Sequence, residues 1–359
     1  MNKLIMFLPS VNNGGNEKNF FSTANNLHKN NVKISVISCS KKKVKSKIIF
    51  KNNFNLFDLD FLNLKLKYII CFFVLLFKNK KKNPILSFQG NIISIIAAKI
   101  IGCEVFIRFN SYPDNFIKNS FKKEFLSFFY KKADGIIVNS NEIKNILKKK
   151  FNLESILIRN EIDIKKIKKL SKEKVKFDFF KNKKNKTFII LGRLDKNKNH
   201  QFIIKALNKI KGKYKFNLLI IGSGYMKTFL INLINKYNLN EIIKIIDFRK
   251  NPYPYILRAD GLILSSFYEG YPNVLLEAGV LNKIIISSNC KSGPKEIIGK
   301  SINGYLFKSN NFESFKKSLI KNKNNQSNLS KVKSFKKFIK KFHGNDHSGK
   351  YKKLIFKNS

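Results

Sequence analysis

Short, fully apolar runs alternate with longer amphipathic segments along the first half of the chain. The runs predict strands and the amphipathic segments predict helices. Strands without a polar face are typical of a parallel sheet covered by helices on both sides. The predicted strands are Lys3–Leu8, Val32–Ser38, Ile85–Phe88, Glu104–Phe109 and Gly135–Asn139, and the predicted helices are Glu17–Asn30, Ile92–Ile101 and Glu142–Lys149.

The same alternation restarts after a strongly polar strip, Lys165–Lys186, which we interpret as the boundary between two domains. Two doubly wound α/β units in succession predict two Rossmann-like domains facing across a cleft, with ligands at the carboxyl ends of the strands. The predicted strands of this half are Thr187–Gly192, Lys215–Ile221, Ile242–Ile246, Gly261–Ser265 and Ile284–Ser287. Helices are expected at His200–Lys211, Met226–Tyr237, Tyr253–Arg258, Phe312–Lys321, Ser334–Phe342 and from about Gly349.

Candidate chemistry is concentrated in the segment Ala259–Glu277. A short strand is followed by a turn that contains Glu269 and Gly270, and a helix is expected to begin at Pro272 and to carry Glu277 in its second turn. Proline suits a helix start, and the unpaired backbone N–H groups of a first helical turn attract anions. The segment therefore fits a phosphate-bearing ligand whose sugar hydroxyls meet the two carboxylates.

A second candidate element, GRLDKNKN, occupies Gly192–Asn199 between a predicted strand and a predicted helix. Arg193 and Lys198 provide cations at the carboxyl end of that strand, and Arg193 is notable in a chain that otherwise uses lysine. We interpret Lys196 as a solvated turn residue. Fixed cations stabilise the negative charge that grows on a diphosphate leaving group.

These two elements resemble family 4 glycosyltransferases of the GT-B fold. The segment EGYPNVLLEA is similar to the family's E-x7-E signature, and GRLDKNKN to its GR-L-x-x-x-K-[GN] element. The resemblance implies a retaining transfer of a sugar from a nucleotide donor, a UDP-hexose or UDP-N-acetylhexosamine, to a lipid-linked or growing surface glycan. It also implies an acceptor-side domain at 1–165, a nucleotide-sugar domain at 166–335, and C-terminal helices at 336–359 that cross back to the first domain.

By the same resemblance, Glu269 orients the hydroxyls of the donor sugar, Arg193 and Lys198 hold its diphosphate, and Glu277 accepts hydrogen bonds from the ribose. The implied donor-binding residues are Gly15, Gly270, Tyr271, Pro272, Asn273, Val274 and Glu277. Gly14 and Gly15 resemble the family's N-terminal glycine loop, although ordinary turn chemistry also explains them. Gly222-Ser223-Gly224 resembles the family's G-x-G turn, and a tight turn explains it equally well.

The first domain departs from the family pattern at the strand Glu104–Phe109. Many members carry a histidine after this strand, whereas this chain has Arg108 and Asn110. Some relatives have an Arg-x-Asn arrangement here, so these two residues are assigned to the acceptor side. The four histidines do not have the spacing of a metal site or a catalytic triad. Asp58-Leu59-Asp60 matches the D-x-D metal-binding triplet of the other major glycosyltransferase fold, but the sequence around it is not the one expected for such a site. No metal and no resident cofactor are expected.

The formal charge of +50 suggests a nucleic-acid binder, but only five of the 72 basic residues are arginine. Proteins that bind phosphate backbones make heavy use of arginine, and dispersed lysines indicate compositional bias instead. A nucleic-acid- or anion-binding protein and a catalytically degenerate partner subunit remain the alternatives. Part of the charge could still attract an anionic membrane surface.

Cysteine spacing and apolar run lengths favour a cytoplasmic enzyme on the inner face of the membrane. Cys39, Cys71, Cys103 and Cys290 show no paired spacing, which indicates a reducing compartment. The start of the chain has too short an apolar run for a signal peptide. Tyr68–Phe77, the most hydrophobic stretch, is far shorter than the ~20 residues that span a bilayer. A buried or membrane-surface helix is expected there.

Overall fold

The computed structural model describes residues 2–12, 14–50, 57–112, 120–175, 179, 185–212, 214, 216–322, 325–343 and 347–356. The chain forms two compact units. The first unit is Met1–Glu161 together with Asp346–Ser359, and the second unit is Ile162–Asn345.

The first unit is built on a parallel sheet whose strand order, over the described residues, is β2-β1-β3-β4-β5-β6. Its strands are β1 (Lys3–Phe7), β2 (Lys33–Ile37), β3 (Ile85–Ser87), β4 (Val105–Phe109), β5 (Gly135–Val138) and β6 (Ile156–Leu157). The helices between them are α1 (Gly15–Lys29), α2 (Lys41–Lys45), α3 (Leu64–Lys78), α4 (Asn91–Ile101), α5 (Ser120–Tyr130) and α6 (Asn141–Phe151).

The second unit repeats this plan with the strand order β12-β11-β10-β7-β8-β9, again over the described residues. Its strands are β7 (Lys186–Leu191), β8 (Phe216–Ile221), β9 (Ile243–Ile246), β10 (Gly261–Leu264), β11 (Ile284–Ser288) and β12 (Tyr305–Phe307). Its helices are α7 (Ile164–Ser171), α8 (His200–Ile210), α9 (Lys227–Lys236), α10 (Tyr253–Arg258), α11 (Asn273–Val280), α12 (Pro294–Ile298), α13 (Phe312–Lys321) and α14 (Asn325–His343). The chain ends with α15 (His347–Ile355), which belongs to the first unit and packs on α1.

Alternation along the central strands explains why both faces of each sheet are covered. In β1, Leu4 and Met6 share a core with Phe20 of α1, whereas Ile5 and Phe7 share the opposite core with residues of α3 and α4. Successive side chains of a strand point to opposite faces, so an all-apolar strand must be buried on both. The predicted α/β class with two doubly wound units is therefore confirmed.

The polar strip Lys165–Lys186 begins with an ordered helix. Asp163 accepts a hydrogen bond from the backbone N–H of Lys166 at 2.9 Å and caps α7. Ile162 and Ile167 lie in a core of the second unit, so the lysines of α7 form the outer face of an amphipathic helix. The sequence boundary at 165/166 falls inside this helix, four residues after the boundary between the units.

Helices long and apolar enough to cross a membrane are absent from the part of the chain that the structure describes. The apolar stretch Tyr68–Phe77 forms the central part of α3, with Cys71 and Leu75 buried and Ile69, Phe73 and Phe77 exposed.

Candidate active site

The loop after β7 is shaped by a short 3-10 turn, Lys196–Lys198. The Asp195 side chain caps this turn, because its Oδ1 accepts a hydrogen bond from the backbone N–H of Lys198 at 3.1 Å. Lys196 is exposed, as the sequence predicts for a solvated turn residue. Lys198 is directed instead toward the loop that follows β10.

Lys198 and Glu269 form an ion pair, with 2.6 Å between Nζ and Oε1. The same carboxylate oxygen accepts a hydrogen bond from the Ser266 hydroxyl at 2.6 Å. The side chains of Lys198 and Glu269 are 17% and 12% exposed, so the pair is largely screened from water but still reachable from solvent. The structure thus brings together two residues that lie 71 positions apart in the chain.

Asn197 ties the two loops together through both its main chain and its side chain. Its carbonyl accepts from the backbone N–H of Phe267 at 2.9 Å, and its Oδ1 accepts from the backbone N–H of Tyr268 at 3.2 Å. Its Nδ2 donates to the Tyr268 carbonyl at 3.1 Å. Sequence reasoning did not find Asn197, since nothing in the turn's polar composition distinguishes it from its neighbours.

Arg193 lies on the rim of this loop. Its side chain is 73% exposed, and its Nη2 pairs with Asp195 Oδ2 at 3.3 Å. Its backbone carbonyl contacts the buried ring of His200, with 3.0 Å to Nε2. The carbonyl can only accept, so Nε2 carries the proton. The backbone of Arg193 is therefore fixed, while its guanidinium remains open to solvent.

The turn before α11 is held by the loop after β11. The carbonyl of Gly270 accepts from the backbone N–H of Gly293 at 2.9 Å and from the Ser292 hydroxyl at 2.8 Å. A Cβ at Gly293 would lie 2.6 Å from that carbonyl oxygen and 2.7 Å from the Tyr271 Cα, so a side chain does not fit. The sequence motif includes neither Ser292 nor Gly293.

The helix of the motif begins one residue later than predicted, because Pro272 occupies the N-cap position and Asn273 is the first helical residue. Tyr271, Pro272 and Asn273 are buried, and Val274 is half-buried. The first turn of α11 thus follows directly on the turn that contains Glu269, at the carboxyl end of β10. An anion at this end would meet the backbone N–H groups and the positive end of the helix dipole.

Glu277 is 2% exposed, which excludes the interpretation of it as a solvated helix residue. The Tyr253 hydroxyl donates to its Oε1 at 3.3 Å. Burial, together with the neighbouring Glu277 carboxylate, raises the pKa of Tyr253, so this hydroxyl keeps its proton. A buried carboxylate one and a half turns into α11 is suited to receive hydroxyl donors.

The Gly222–Gly224 turn is required by close packing of two loops. A Cβ at Gly222 would lie 1.8 Å from the Gly192 carbonyl oxygen, and one at Gly224 would lie 2.4 Å from the Leu194 carbonyl oxygen. The Leu194 N–H donates to the Ser223 carbonyl at 2.8 Å. These glycines therefore position the loop that carries Arg193 and Lys198.

In the first unit, Gly14 is the N-cap residue of α1 and Gly15 is its first residue. A Cβ at Gly14 would lie 2.6 Å from the Glu17 Oε2, and the Glu17 Oε1 accepts from the backbone N–H of Asn12 at 3.3 Å. Glu17 is buried and occupies the start of this helix. The assignment of Gly14 and Gly15 to the acceptor and the diphosphate remains a prediction.

Arg108 is buried, and its guanidinium is occupied by protein groups. It donates to Asn110 Oδ1 at 2.9 Å, to the Ile158 carbonyl at 3.1 Å, to Asn160 Oδ1 at 3.0 Å, and to the Tyr351 hydroxyl of α15. These contacts join β4 to the C-terminal helix. The acceptor-side role assigned to Arg108 and Asn110 stays a prediction, and this geometry favours a structural role for Arg108.

Groups of acidic, histidine or cysteine side chains able to hold a metal ion are not found among the described residues. The Asp58–Asp60 pair has another explanation, because Asp58 pairs with Lys42 at 3.1 Å and Asp60 pairs with Lys43 at 3.0 Å. Asp60 also accepts a hydrogen bond from Ser40. Both aspartates belong to ion pairs of the first unit.

The described arrangement is a half-buried Lys–Glu pair and an exposed arginine near the start of α11, with a buried glutamate in the second turn of that helix. Residues 171–342, which contain all of it, match the family model for glycosyl transferases group 1. This segment, about half of the chain, belongs to the family. The predicted family resemblance is thereby confirmed.

Two curated relatives show how far this similarity extends. An uncharacterized glycosyltransferase of Methanocaldococcus jannaschii is 35% identical over 181 residues, which are 49% of this chain and 45% of the relative. The second relative, from Campylobacter jejuni, is N-acetylgalactosamine-N,N'-diacetylbacillosaminyl-diphospho-undecaprenol 4-alpha-N-acetylgalactosaminyltransferase. It is 32% identical over 203 residues, which are 55% of this chain and 53% of the relative. The chain thus spans about half the length of the curated relatives it matches.

Among solved structures, Anabaena HepE in complex with UDP-glucose superposes with a TM-score of 0.78 at 15% identity, covering 99% of this chain and 98% of HepE. This likeness confirms the predicted GT-B fold for the whole chain. At this identity it shows the fold alone.

Proposed function

We propose that this group 1 family member is a retaining glycosyltransferase that moves a sugar from a nucleotide-sugar donor to a lipid-linked glycan. The observation that carries the proposal is the Lys198–Glu269–Ser266 cluster beside the first turn of α11, with Glu277 buried farther along the same helix. A cation, an anion-binding helix start and two carboxylates match the parts of a nucleoside diphosphate sugar.

The diphosphate would lie at the first turn of α11, where backbone N–H groups and the helix dipole favour negative charge. Lys198 would exchange part of its pairing with Glu269 for the phosphate oxygens, and Arg193 would approach from its exposed position. Both cations would then stabilise the charge that develops on the leaving group.

The reaction is a substitution at the anomeric carbon. The acceptor hydroxyl oxygen forms a bond to that carbon, the bond from the carbon to the diphosphate oxygen breaks, and the departing diphosphate takes the hydroxyl proton. Attack from the side of the leaving group retains the configuration. Glu269 would orient the donor hydroxyls, and Glu277 would accept hydrogen bonds from the two ribose hydroxyls with its carboxylate oxygens.

The names of similar proteins support the choice of substrates. HepE has been solved with UDP-glucose, and the Campylobacter jejuni relative is named for a diphospho-undecaprenol acceptor. We therefore assign a UDP-hexose or UDP-N-acetylhexosamine as donor and a lipid-linked surface glycan as acceptor. The reaction would take place on the cytoplasmic face of an anionic membrane.

The test is release of UDP from a panel of UDP-sugars in the presence of extracted lipid-linked glycan. Lys198→Ala and Glu269→Gln should each lower kcat/KM by about 10²- to 10³-fold, since each removes a charge next to the reacting bond. Lys196→Ala is the matched control, because Lys196 is exposed in the same turn, and it should stay within about twofold of the unmodified protein.

A separate binding measurement identifies the role of Glu277. Glu277→Ala should weaken UDP binding by about tenfold or more, because a charged acceptor of ribose hydroxyls is lost. If UDP binds neither the unmodified protein nor its variants, the proposal is wrong. If UDP binds but no UDP-sugar of the panel releases UDP in the presence of the extracted glycan, the alternative of a degenerate partner subunit is favoured.

A further inference from the structure

Three neighbouring helices of the first unit expose apolar side chains on their outer sides. α3 packs against α4, and α4 packs against α5. In α3 and α5 the apolar residues recur four positions apart, which places them on one side of each helix. They are Phe73 and Phe77 of α3 and Phe121 and Phe125 of α5, and α4 adds the exposed Ile100. We call this surface the three-helix face.

These side chains are not part of the core of the unit. The opposite sides of the helices serve the core, where Leu75 of α3 and Ile95 of α4 are buried beside β1 and β4. In α5, Leu126 is buried and the Tyr130 ring contacts Phe109 of β4 at 5.0 Å. Folding therefore explains the inner side of each helix, and it leaves the outer aromatic and aliphatic residues unexplained.

The charge around the three-helix face has one dominant sign. The three helices, all of which the structure describes, contain Glu124 as their single acidic residue. Exposed lysines are found within them and in the turns that follow α3 and α5: Lys65, Lys78, Lys80, Lys81, Lys122, Lys123, Lys131 and Lys132. A cationic rim around exposed aromatic rings is suited to a partner that is both apolar and anionic.

The geometry points to the surface of an anionic phospholipid bilayer as that partner. We propose that the three-helix face lies in the membrane interface, with its aromatic rings at the headgroup boundary and its lysines on the lipid phosphates. A second copy of this chain would present the same cationic rim and be repelled. α3, with 15 residues, is too short to span a bilayer of ~30 Å, so it would lie in the surface plane.

This inference rests on the proposed function, because a lipid-linked acceptor is available only at a membrane. It goes beyond the expectation for Tyr68–Phe77 by including α4 and α5. The face belongs to the first unit, whereas Lys198, Glu269 and Glu277 belong to the second. Substitutions in the three-helix face should therefore weaken membrane binding without affecting nucleotide binding, and substitutions at Lys198, Glu269 or Glu277 should do the reverse.

The test is co-sedimentation of the full chain with vesicles of phosphatidylglycerol and phosphatidylcholine, compared with vesicles of phosphatidylcholine alone. The unmodified protein should bind the anionic vesicles at least about tenfold more strongly. The double variant Phe73→Ser/Phe125→Ser should lose about tenfold or more of this binding, because two rings no longer enter the interface.

The matched control is Phe229→Ser/Phe248→Ser in the second unit. Phe229 and Phe248 are 45% and 41% exposed, close to the 49% and 47% of Phe73 and Phe125. For the charges, Lys80→Glu/Lys81→Glu is compared with Lys336→Glu/Lys337→Glu on α14, which changes the net charge by the same amount. Only the variants of the three-helix face should lose vesicle binding, and all variants should bind UDP with unchanged affinity.

Vesicle binding that falls equally in test and control variants would overturn the inference, and so would no binding by the unmodified protein. A dimer or a protein complex abolished by Phe73→Ser/Phe125→Ser, with no vesicle binding, would also overturn it. The proposed function is judged separately by UDP binding and UDP release. If the protein binds vesicles but not UDP, the membrane-binding role of the three-helix face would be supported and the proposed transferase function would be rejected.

Discussion

His200 is buried in the second unit directly beside the loop that carries Arg193 and Lys198. Burial lowers the pKa of His200 to about 4, because the charged ring would lose its hydration, and neighbouring Lys198 makes a smaller contribution in the same direction. The neutral ring donates through Nε2 to the Arg193 carbonyl at 3.0 Å. The conformation of this loop therefore depends on a histidine that stays uncharged at neutral pH.

This burial predicts a pH dependence of stability. Between pH 6.5 and about 4 the unfolded chain binds a proton at His200 that the folded chain does not. The stabilisation is fully present above pH 6.5 and is lost as the pH falls toward 4, by about 3 kcal/mol in the free energy of unfolding. Urea unfolding of the unmodified protein and of His200→Gln at pH 7, 5.5 and 4.5 measures it.

The glutamine keeps an N–H donor for the Arg193 carbonyl but does not titrate. The difference in unfolding free energy between the two proteins should therefore change with pH in the direction that favours His200→Gln in acid. A difference independent of pH would show that His200 is not held neutral in the folded state.

The loops at the carboxyl ends of β7, β8, β10 and β11 stabilise one another. Gly222 allows the loop after β8 to approach the loop after β7, and Gly293 allows the loop after β11 to approach the turn after β10. Parallel strands make this possible, since their carboxyl ends lie at the same edge of the sheet. The positions of Lys198 and Glu269 thus depend on residues outside both motifs.

We therefore predict that Gly222→Ala impairs the site without touching it directly. Its Cβ would lie 1.8 Å from the Gly192 carbonyl oxygen, so the loop that carries Lys198 must move. UDP affinity should fall about tenfold or more and Tm should drop by several degrees, as expected for overpacking of about 1–3 kcal/mol. Isothermal titration with UDP and thermal unfolding measure the two effects.

Gly212→Asn provides the comparison for Gly222→Ala. A Cβ at Gly212 would meet nothing within 4 Å, and asparagine tolerates the positive φ of this position. This variant should retain UDP affinity. Equal losses in the two variants would argue against a specific loop contact.

The first unit is completed by residues from both ends of the chain. Tyr351 and Leu354 of α15 lie in the same core as Leu4 and Met6 of β1. The Tyr351 hydroxyl accepts a hydrogen bond from buried Arg108. The N-terminal unit therefore needs the last helix of the chain for its own stability.

Truncation before His347 should consequently destabilise the first unit strongly. It removes apolar burial and leaves Arg108 without one of its partners, a combination that typically costs more than about 4 kcal/mol. Tyr351→Phe removes the hydroxyl alone and should cost about 1–3 kcal/mol. Differential scanning calorimetry should show a larger decrease in Tm for the truncation, and similar Tm values for the two proteins would contradict this packing role.

The sequence was sufficient to predict the helices and strands whose local pattern of apolar and polar residues agrees with their burial in the folded unit. α10 and α13 have the predicted bounds, Tyr253–Arg258 and Phe312–Lys321, and most of the predicted strands differ from the observed ones by a residue or two. Fully apolar runs such as Ile85–Phe88 leave a chain few choices other than a buried strand. The sequence predicts a helix start at Pro272, whereas the structure has Pro272 at the N-cap position, because proline suits both the N-cap and the first helical position.

Contacts between residues that are distant in the chain could not be predicted from the sequence. Cys39 and Cys71 show no paired spacing, yet their sulfur atoms lie 3.5 Å apart in the first unit. The spacing did not reveal this pair because β2 and α3, which are separate in the chain, pack against each other. Arg108 resembles an acceptor-side motif by its position near the end of β4, and its burial against α15 became visible only in the folded unit.

The sequence by itself determined the family, the two α/β units and the short segments that carry Arg193, Lys198, Glu269 and Glu277, because periodicity and local motifs are properties of neighbouring residues. Only the tertiary structure decided that Lys198 pairs with Glu269, that Asn197 and Gly293 hold their loops, and that three helices share an apolar face. Such contacts depend on the order of strands in a sheet, and residues far apart in the chain meet only when the sheet is formed.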